Sequence, residues 1–150
     1  MTASQRRASW ARRSLRKIRK WFVYQFRVRR RPVVTVAGVQ IRVGRHMSPQ
    51  IERTVSQGRY EQDEFRLIGH VLSPGDVVLE IGAGLGLVSA YCAKHIGSSR
   101  VFACEANPDL EACIRETYSL NQVHPTLEMC AVGADAGTVT LYRGRHLWAS

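Results

Sequence analysis

The sequence predicts an α/β fold built on a parallel sheet, and two observations lead to this prediction. First, a turn at residues 73–75 precedes a short apolar run at residues 77–81, which breaks into alternate glycines at positions 82, 84 and 86. A buried strand, a glycine turn and a helix give this pattern. Second, an apolar run followed by an amphipathic segment returns at residues 100–117. Repeated strand and helix units are typical of a parallel sheet covered by helices.

The chain begins with a basic arm, residues 1–31, which holds 12 of the 22 Lys and Arg residues and no acid. Apolar residues recur every three or four positions in residues 11–26, which predicts an amphipathic helix. Three interpretations stay open: a solvated helix that docks on its own domain or on a partner protein, a helix that contacts an anionic membrane surface, or a nucleic-acid-binding or transit segment. We do not expect nucleic acid as the partner, because the other residues carry 10 bases against 12 acids.

Residues 32–72 form a lead-in segment between the arm and the predicted sheet. Residues 33–43 alternate in polarity around Ala37 and Gly38, which predicts a small β-hairpin. Ser48 and Pro49 are typical of a helix start, and Gly58 of a helix end. Residues 61–72 then predict a second amphipathic helix.

Residues 73–150 predict the first half of a doubly wound domain. The glycine turn leads into a helix at residues 87–96 and a second strand at residues 100–104. Asn107 and Pro108 then start another helix. A third strand is expected at residues 127–132 and a fourth at residues 138–142. Because sheets of this kind usually have five or more strands, we expect the domain to be cut short at residue 150.

Composition narrows the protein class. A chain of 150 residues that is 45% hydrophobic supports one domain with its own core. The four cysteines form no C-x-x-C pair and lie in apolar segments, which predicts reduced core residues in a reducing compartment. The five histidines form no close ligand pair, so no metal is expected. The apolar run at residues 21–26 is too short for a membrane span or a secretory signal. We expect a cytoplasmic protein, peripheral to the membrane if the arm binds lipid.

The spacing of the glycines separates two classes of nucleoside cofactor. The dinucleotide fingerprint G-x-G-x-x-G requires a glycine at position 87 when Gly82 and Gly84 are its first two. Position 87 is Leu87, and the third glycine is Gly86. With Glu80 the pattern becomes E-x-G-x-G-x-G, which lacks the pyrophosphate signature. An NAD(P)-binding oxidoreductase therefore stays only as an alternative.

Four segments follow one another in the order GRYEQDE, LSPGDVVLEIGAGLGLVSAYCAK, VFACEANPDLEACIRETYSLN and AVGADAGTVTLY. In this order and spacing they resemble the FkbM-type family of S-adenosylmethionine-dependent methyltransferases. The resemblance covers about residues 48–142 and does not include the basic arm. It implies a Rossmann-like methyltransferase fold, with S-adenosylmethionine as the cofactor.

The resemblance also implies which residues bind the cofactor. Gly82, Gly84 and Gly86 would form the turn under its methionine and ribose portions, and Glu80 would orient this loop and interact with the methionine amino group. Glu105, about 20 residues beyond the loop, would accept hydrogen bonds from the ribose hydroxyls. Glu80 and Glu105 also have simpler explanations, as acceptors of backbone N–H groups. The other implied positions are Ala83 in the loop, Ala106 and Asn107 beside the adenine, residues 130–132 on its other side, and Glu61 with Tyr60 ahead of the strand.

The implied reaction is in-line methyl transfer to an oxygen, in particular a hydroxyl of a small molecule or sugar. A neutral hydroxyl is a weak nucleophile and needs a base, but no residue of this chain can be nominated for that role. The catalytic residues are therefore unknown. The alternative from another class is a truncated, non-catalytic fragment that acts as an interaction module through its basic arm.

Overall fold

The computed structural model describes residues 32–44 and 47–142. The basic arm and its predicted amphipathic helix lie outside the described residues, so the interpretations of the arm remain expectations. Within the described ranges, no helix combines the length and the apolar composition needed to cross a bilayer.

The described chain contains one antiparallel hairpin, one parallel three-stranded sheet and four α-helices. In chain order the elements are β1 (Val33–Val36), β2 (Val39–Arg42), α1 (Pro49–Ser56), α2 (Gln62–Val71), β3 (Val78–Ile81), α3 (Leu87–Ile96), β4 (Val101–Cys104), α4 (Glu111–Asn121) and β5 (Thr126–Glu128). The strand β4 lies between β3 and β5 in the parallel sheet. This architecture confirms the predicted α/β fold with a parallel sheet and a small hairpin.

Local sequence explains the lead-in segment. Ala37 and Gly38 close the hairpin in two residues, with φ of 48° and 80°. A two-residue turn in which both φ values are positive matches the twist of antiparallel strands. Helix α1 begins after Ser48, whose hydroxyl accepts the N–H of Ile51 at 3.3 Å. This bond satisfies one of the free N–H groups at the helix start. The predicted hairpin and both predicted helices are confirmed.

The hairpin and the parallel sheet share one apolar core. Buried residues from β1 and β2 join those of β4, α3 and α4, among them Val36, Ile41, Val101, Leu87 and Ile114. Polar contacts also hold the hairpin on α4. The side chain of Asn121 bonds the backbone N–H and C=O of Gln40 at 2.8 and 2.7 Å, and Arg42 pairs with Glu116 at 2.7 Å.

One face of the parallel sheet is uncovered in the described part of the chain. Leu79 and Ile81 of β3 are 60% and 63% exposed, and Phe102 of β4 is 40% exposed. The prediction that β3 is a buried strand is therefore wrong for this face. A continuous apolar run indicates that both faces of a strand suit burial, but it does not show that both are covered.

The predicted strand at residues 138–142 is wrong, because the structure has no strand there. Val139 and Tyr142 are exposed, and no described strand runs beside them to form a ladder. The third predicted strand exists but is shorter than residues 127–132. It ends at Glu128, where the N–H of Cys130 turns back to the carbonyl of Glu128 at 3.1 Å. Residues with strand propensity form a strand only where a neighbouring strand is available for pairing.

Candidate cofactor site

The glycine loop connects β3 to α3 and is tied to the end of β4. Gly82, Gly84 and Gly86 all have positive φ, at 86°, 56° and 70°. This conformation favours glycine, because a Cβ atom would be strained there. The carbonyl of Cys104 accepts the N–H of Gly82 at 2.8 Å and the N–H of Ala83 at 3.0 Å. The loop is thereby held at the carboxyl edge of the sheet.

Glu105 follows β4 directly and is only 8% exposed. One carboxylate oxygen, Oε2, accepts the N–H of Gly84 at 2.9 Å, and the other, Oε1, accepts the N–H of Asn107 at 2.7 Å. Hydrogen bonds to an ionised acceptor are stronger than neutral ones. The carboxylate therefore links the glycine loop to the loop after β4, and each oxygen keeps capacity for another donor.

A cavity of about 400 Å³ opens at the carboxyl ends of the three parallel strands. Open α/β sheets bind their ligands at this edge, and small-molecule sites usually have volumes of roughly 300–1,000 Å³. The cavity contains many of the residues predicted to bind a cofactor. These lining residues are Gly82, Gly84, Glu105, Ala106 and Asn107, with residues 130–132 on another wall.

Four other predicted residues do not line this cavity. Ala83 is buried beneath the loop. Gly86 packs against α4, where an added Cβ would lie 2.9 Å from the Cγ2 atom of Ile114. This close approach explains why a glycine stands at the start of α3. The remaining two residues, Glu80 and Glu61, belong to a separate acidic cluster.

The carboxyl group of Glu80 lies in that acidic cluster, and the residue is half-buried. Burial raises its pKa from 4.5 to about 7, and the nearby carboxylates of Glu61 and Glu105 add to the rise, whereas hydrogen bonds from Ser89 lower it. The hydroxyl of Ser89 also contacts that of Tyr118 at 2.7 Å. Within the described residues, Oε2 of Glu80 is buried and has no hydrogen-bond partner. Such an atom calls for a donor, because an unsatisfied buried acceptor is costly.

Glu61 reaches this cluster from the beginning of α2. Its φ is 51°, a left-handed conformation that is uncommon for a residue other than glycine. Burial raises the pKa of Glu61 and the charge of Glu64 adds to this, while a hydrogen bond from the hydroxyl of Tyr60 opposes it. Two neighbouring acids favour a positively charged ligand, because a nearby cation stabilises the ionised form of each.

The hydrogen-bond acceptors of the site fit a nucleoside that carries a cationic amino group. Glu105 offers carboxylate oxygens at the cavity, where ribose hydroxyls can donate, and Glu80 offers a buried oxygen without a donor. The same residues suit a metal poorly. In residues 32–44 and 47–142, no three His, Cys, Asp or Glu side chains converge as metal ligands would.

Sequence reasoning missed part of the cavity wall. Ile81, Cys104, Leu110 and Leu141 also line it. The positions of Ile81 and Cys104 contain a usable signal, because both are the last residues of parallel strands. Leu141 lies within the wrongly predicted fourth strand, so the sequence contained no comparable signal for it.

The cysteines also differ from the prediction that all four lie in the core. Cys92 and Cys113 are buried, but Cys104 is only partly buried and Cys130 is exposed. The difference follows from the early end of β5, which leaves Cys130 beyond the sheet. Cys104 and Cys130 both line the cavity.

The fold and the site define a domain of the S-adenosylmethionine-dependent methyltransferase class. A family model for the TRM5/TYW2 methyltransferase domain matches residues 51–143. The chain belongs to this family. It is also similar to Methyltransferase HEMK2 of Mus musculus and of Homo sapiens, with 44% and 42% identity over 50 residues. Each alignment covers 33% of this chain and 23% of the relative, so the chain matches about a quarter of the length of these curated relatives.

These comparisons confirm a methyltransferase domain and S-adenosylmethionine as its cofactor. They do not support the FkbM family specifically, although the sequence segments resemble it. They also favour a methyltransferase over the alternative of an NAD(P)-binding oxidoreductase.

Proposed function

We propose that this chain binds S-adenosylmethionine in the cavity at the strand ends and takes part in methyl transfer from it. This proposal rests on the position and the hydrogen bonds of Glu105. Its carboxylate is buried at the cavity wall and is fixed by the N–H groups of Gly84 and Asn107. A carboxylate held in this way can accept hydrogen bonds from ribose hydroxyls with little loss of side-chain freedom on binding.

The acidic cluster supports the orientation of the bound cofactor. When bound, S-adenosylmethionine supplies a methyl group on a positively charged sulfonium. Glu80 and Glu61 favour the cationic amino end, because each carboxyl group is desolvated by burial and lies near another acid, so a cation stabilises its ionised form. The glycine loop, residues 82–86, carries only glycine, alanine and leucine, so it is suited to position the cofactor rather than to react with it. Positioning can lower a barrier substantially, by about 7 kcal/mol in well-ordered systems.

For the acceptor, we propose a hydroxyl oxygen of a small molecule or sugar. The resemblance of residues 48–142 to FkbM-type enzymes supports this choice, and the family match supports the broader methyltransferase class. A transfer assay with labelled S-adenosylmethionine can test hydroxyl compounds beside protein and nucleic-acid acceptors. Methyl label that enters only protein or nucleic acid would contradict the hydroxyl acceptor. No label in any acceptor would favour the non-catalytic interaction module.

Calorimetric titration of the reduced protein tests cofactor binding directly. We expect S-adenosylhomocysteine, the demethylated product, to bind and NAD not to bind. Glu105→Gln should weaken this binding by about 10 to 100-fold, since a hydrogen bond to a charged group contributes roughly 1.5–3 kcal/mol. Glu128→Gln is the matched control, because Glu128 is an exposed acid at the same sheet edge that does not line the cavity. Binding of NAD alone, or unchanged binding in Glu105→Gln, would refute the proposal.

The basic arm supports a separate proposal about location. We propose that residues 1–31 hold a cytoplasmic protein at anionic membranes, because they contain 12 cations and five aromatic residues: Trp10, Trp21, Phe22, Tyr24 and Phe26. Vesicles containing anionic lipid should retain the full chain at low salt and release it at high salt. Equal retention after removal of residues 1–31 would contradict this role.

A further inference from the structure

Two neighbouring cysteines, Cys104 and Cys130, line the cavity. Cys104 is the last residue of β4 and pairs in register with Glu128, the last residue of β5. The N–H of Cys130 bonds back to the carbonyl of Glu128 at 3.1 Å. The thiol of Cys130 lies within hydrogen-bond reach of the thiol of Cys104. Both side chains line the same cavity as Glu105. We propose that Cys104 and Cys130 form a reversible disulfide that closes the cofactor cavity under oxidising conditions.

The surroundings of the two thiols differ in a way that sets the order of reaction. Cys130 is exposed, so an oxidant reaches it first. Burial and the adjoining thiol of Cys130 raise the pKa of Cys104, which makes it the less reactive thiol of the pair. Cys92 and Cys113 are buried, and burial raises their pKa to about 11 and about 12. Thiols in apolar surroundings are poorly reactive, so these two serve as internal controls.

With a peroxide as the oxidant, the reaction balances in two steps. The thiolate of Cys130 attacks one peroxide oxygen, the O–O bond breaks, and the products are a sulfenic acid on Cys130 and one water after protonation. The sulfur of Cys104 then attacks the sulfenic sulfur, loses its proton and displaces a second water. Two thiols are oxidised by two electrons in total, and one peroxide is reduced to two waters. A dithiol reductant reverses the bond by exchange.

The bond would change the cavity wall next to Glu105. An S–S bond is about 2.05 Å long and requires Cα atoms roughly 4.4–6.8 Å apart. Two sulfurs that are not bonded stay farther apart than this bond length. Formation of the disulfide therefore draws the segment after β5 toward the end of β4. Residues 130–132 form one wall of the cavity, so this movement narrows the space for a nucleoside. The effect on ligand binding rests on the proposed cofactor function, whereas formation of the bond does not.

Peptide mapping tests the bond itself. The full chain is treated with hydrogen peroxide, free thiols are alkylated, and the protein is cut with trypsin and a Glu-specific protease. Cleavage after Glu105 separates Cys104 from Cys113, so a link between residues 101–105 and residues 129–143 identifies the pair. We expect this linked peptide as the main oxidised product, lost on treatment with dithiothreitol. Its absence, or a link through Cys92 or Cys113 instead, would overturn the proposal.

Titration with S-adenosylhomocysteine tests closure of the cavity. Oxidation should weaken binding by about tenfold or more, and reduction should restore it. Cys130→Ser should bind equally before and after peroxide, whereas Cys92→Ala should lose binding as the unaltered chain does. Full binding by protein shown to contain the linked peptide would overturn the closure. If the reduced chain does not bind S-adenosylhomocysteine, the proposed function fails, and the peptide map still decides whether this pair is a modification site.

Discussion

Glu80→Gln is expected to stabilise the ligand-free domain at pH 8 while weakening cofactor binding. The reason is the burial of Glu80 among other acids, which raises its pKa from 4.5 to about 7. A carboxyl whose folded pKa is raised contributes stability that is complete below pH 4.5 and is lost as the pH rises through about 7. Ionised Glu80 is therefore a cost to the fold at pH 8, and glutamine removes the charge while keeping an oxygen for Ser89.

The magnitude follows from these two pKa values. Between pH 5 and pH 8, the stability that Glu80 contributes should fall by roughly 2–3 kcal/mol. The difference in the free energy of unfolding between Glu80→Gln and the unaltered chain should therefore grow by the same amount from pH 5 to pH 8. For a domain of this size, 1 kcal/mol moves the melting temperature by roughly 4 °C, which predicts a relative gain near 10 °C.

Thermal unfolding followed by circular dichroism at pH 5, 6, 7 and 8 measures this effect. Glu52→Gln is the control. Glu52 is exposed on α1, so this substitution removes the same charge from the surface. A stability difference between Glu80→Gln and the unaltered chain that does not change with pH would refute the reasoning. The same variant should bind S-adenosylhomocysteine about tenfold more weakly, since the amino group loses its buried counter-charge.

Three further predictions concern packing in the domain. Gly86→Ala should lower the free energy of unfolding by about 2–4 kcal/mol, because an added Cβ overlaps α4 at a positive φ. Gly58→Ala is its control: the φ is also positive but there is no such overlap, so the loss should be about 1 kcal/mol. Leu79 lies on the uncovered sheet face, so Leu79→Ala should lower the free energy of unfolding by less than about 1 kcal/mol. Leu87 is buried, so Leu87→Ala should lower it by about 2–5 kcal/mol. Asn121→Ala should cost about 1–2 kcal/mol, because it removes two hydrogen bonds to β2.

Urea unfolding monitored by circular dichroism checks all three. Equal losses for the two glycine variants would show that contact with α4 does not matter. A loss for Leu79→Ala as large as that for Leu87→Ala would show that the sheet face is covered in solution. For Asn121→Ala, an unchanged midpoint would mean that the hairpin is held by its apolar contacts alone.

The sequence predicted elements well where local chemistry decides them. Turn residues such as Ala37 and Gly38, the cap Ser48 and the stop Gly97 act over a few positions, and the structure agrees with each of them. The failures concern long-range partners. Residues 138–142 have the composition of a strand, but a strand also needs a neighbour with which to pair, and local composition does not provide one.

The candidate site could be predicted in part for the same reason. The carboxyl ends of parallel strands meet at one edge, so Gly82, Gly84 and Glu105 could be placed together from strand order alone. The sequence could not show that Gly86 serves packing against α4 rather than the cavity. Nor could it show the contact between Cys104 and Cys130, because that depends on where β5 ends.

The two acids at the site should contribute to binding in different ways. Glu105 already accepts two backbone N–H groups, so its charge has partners before any ligand arrives. Oε2 of Glu80 has none within the described residues, so a cationic group that reaches it removes an existing cost. Ligand binding then raises the stability of the fold in proportion to its differential affinity. Because the cost grows as the pH rises through about 7, the stabilisation that the cofactor gives should be larger at pH 8 than at pH 5.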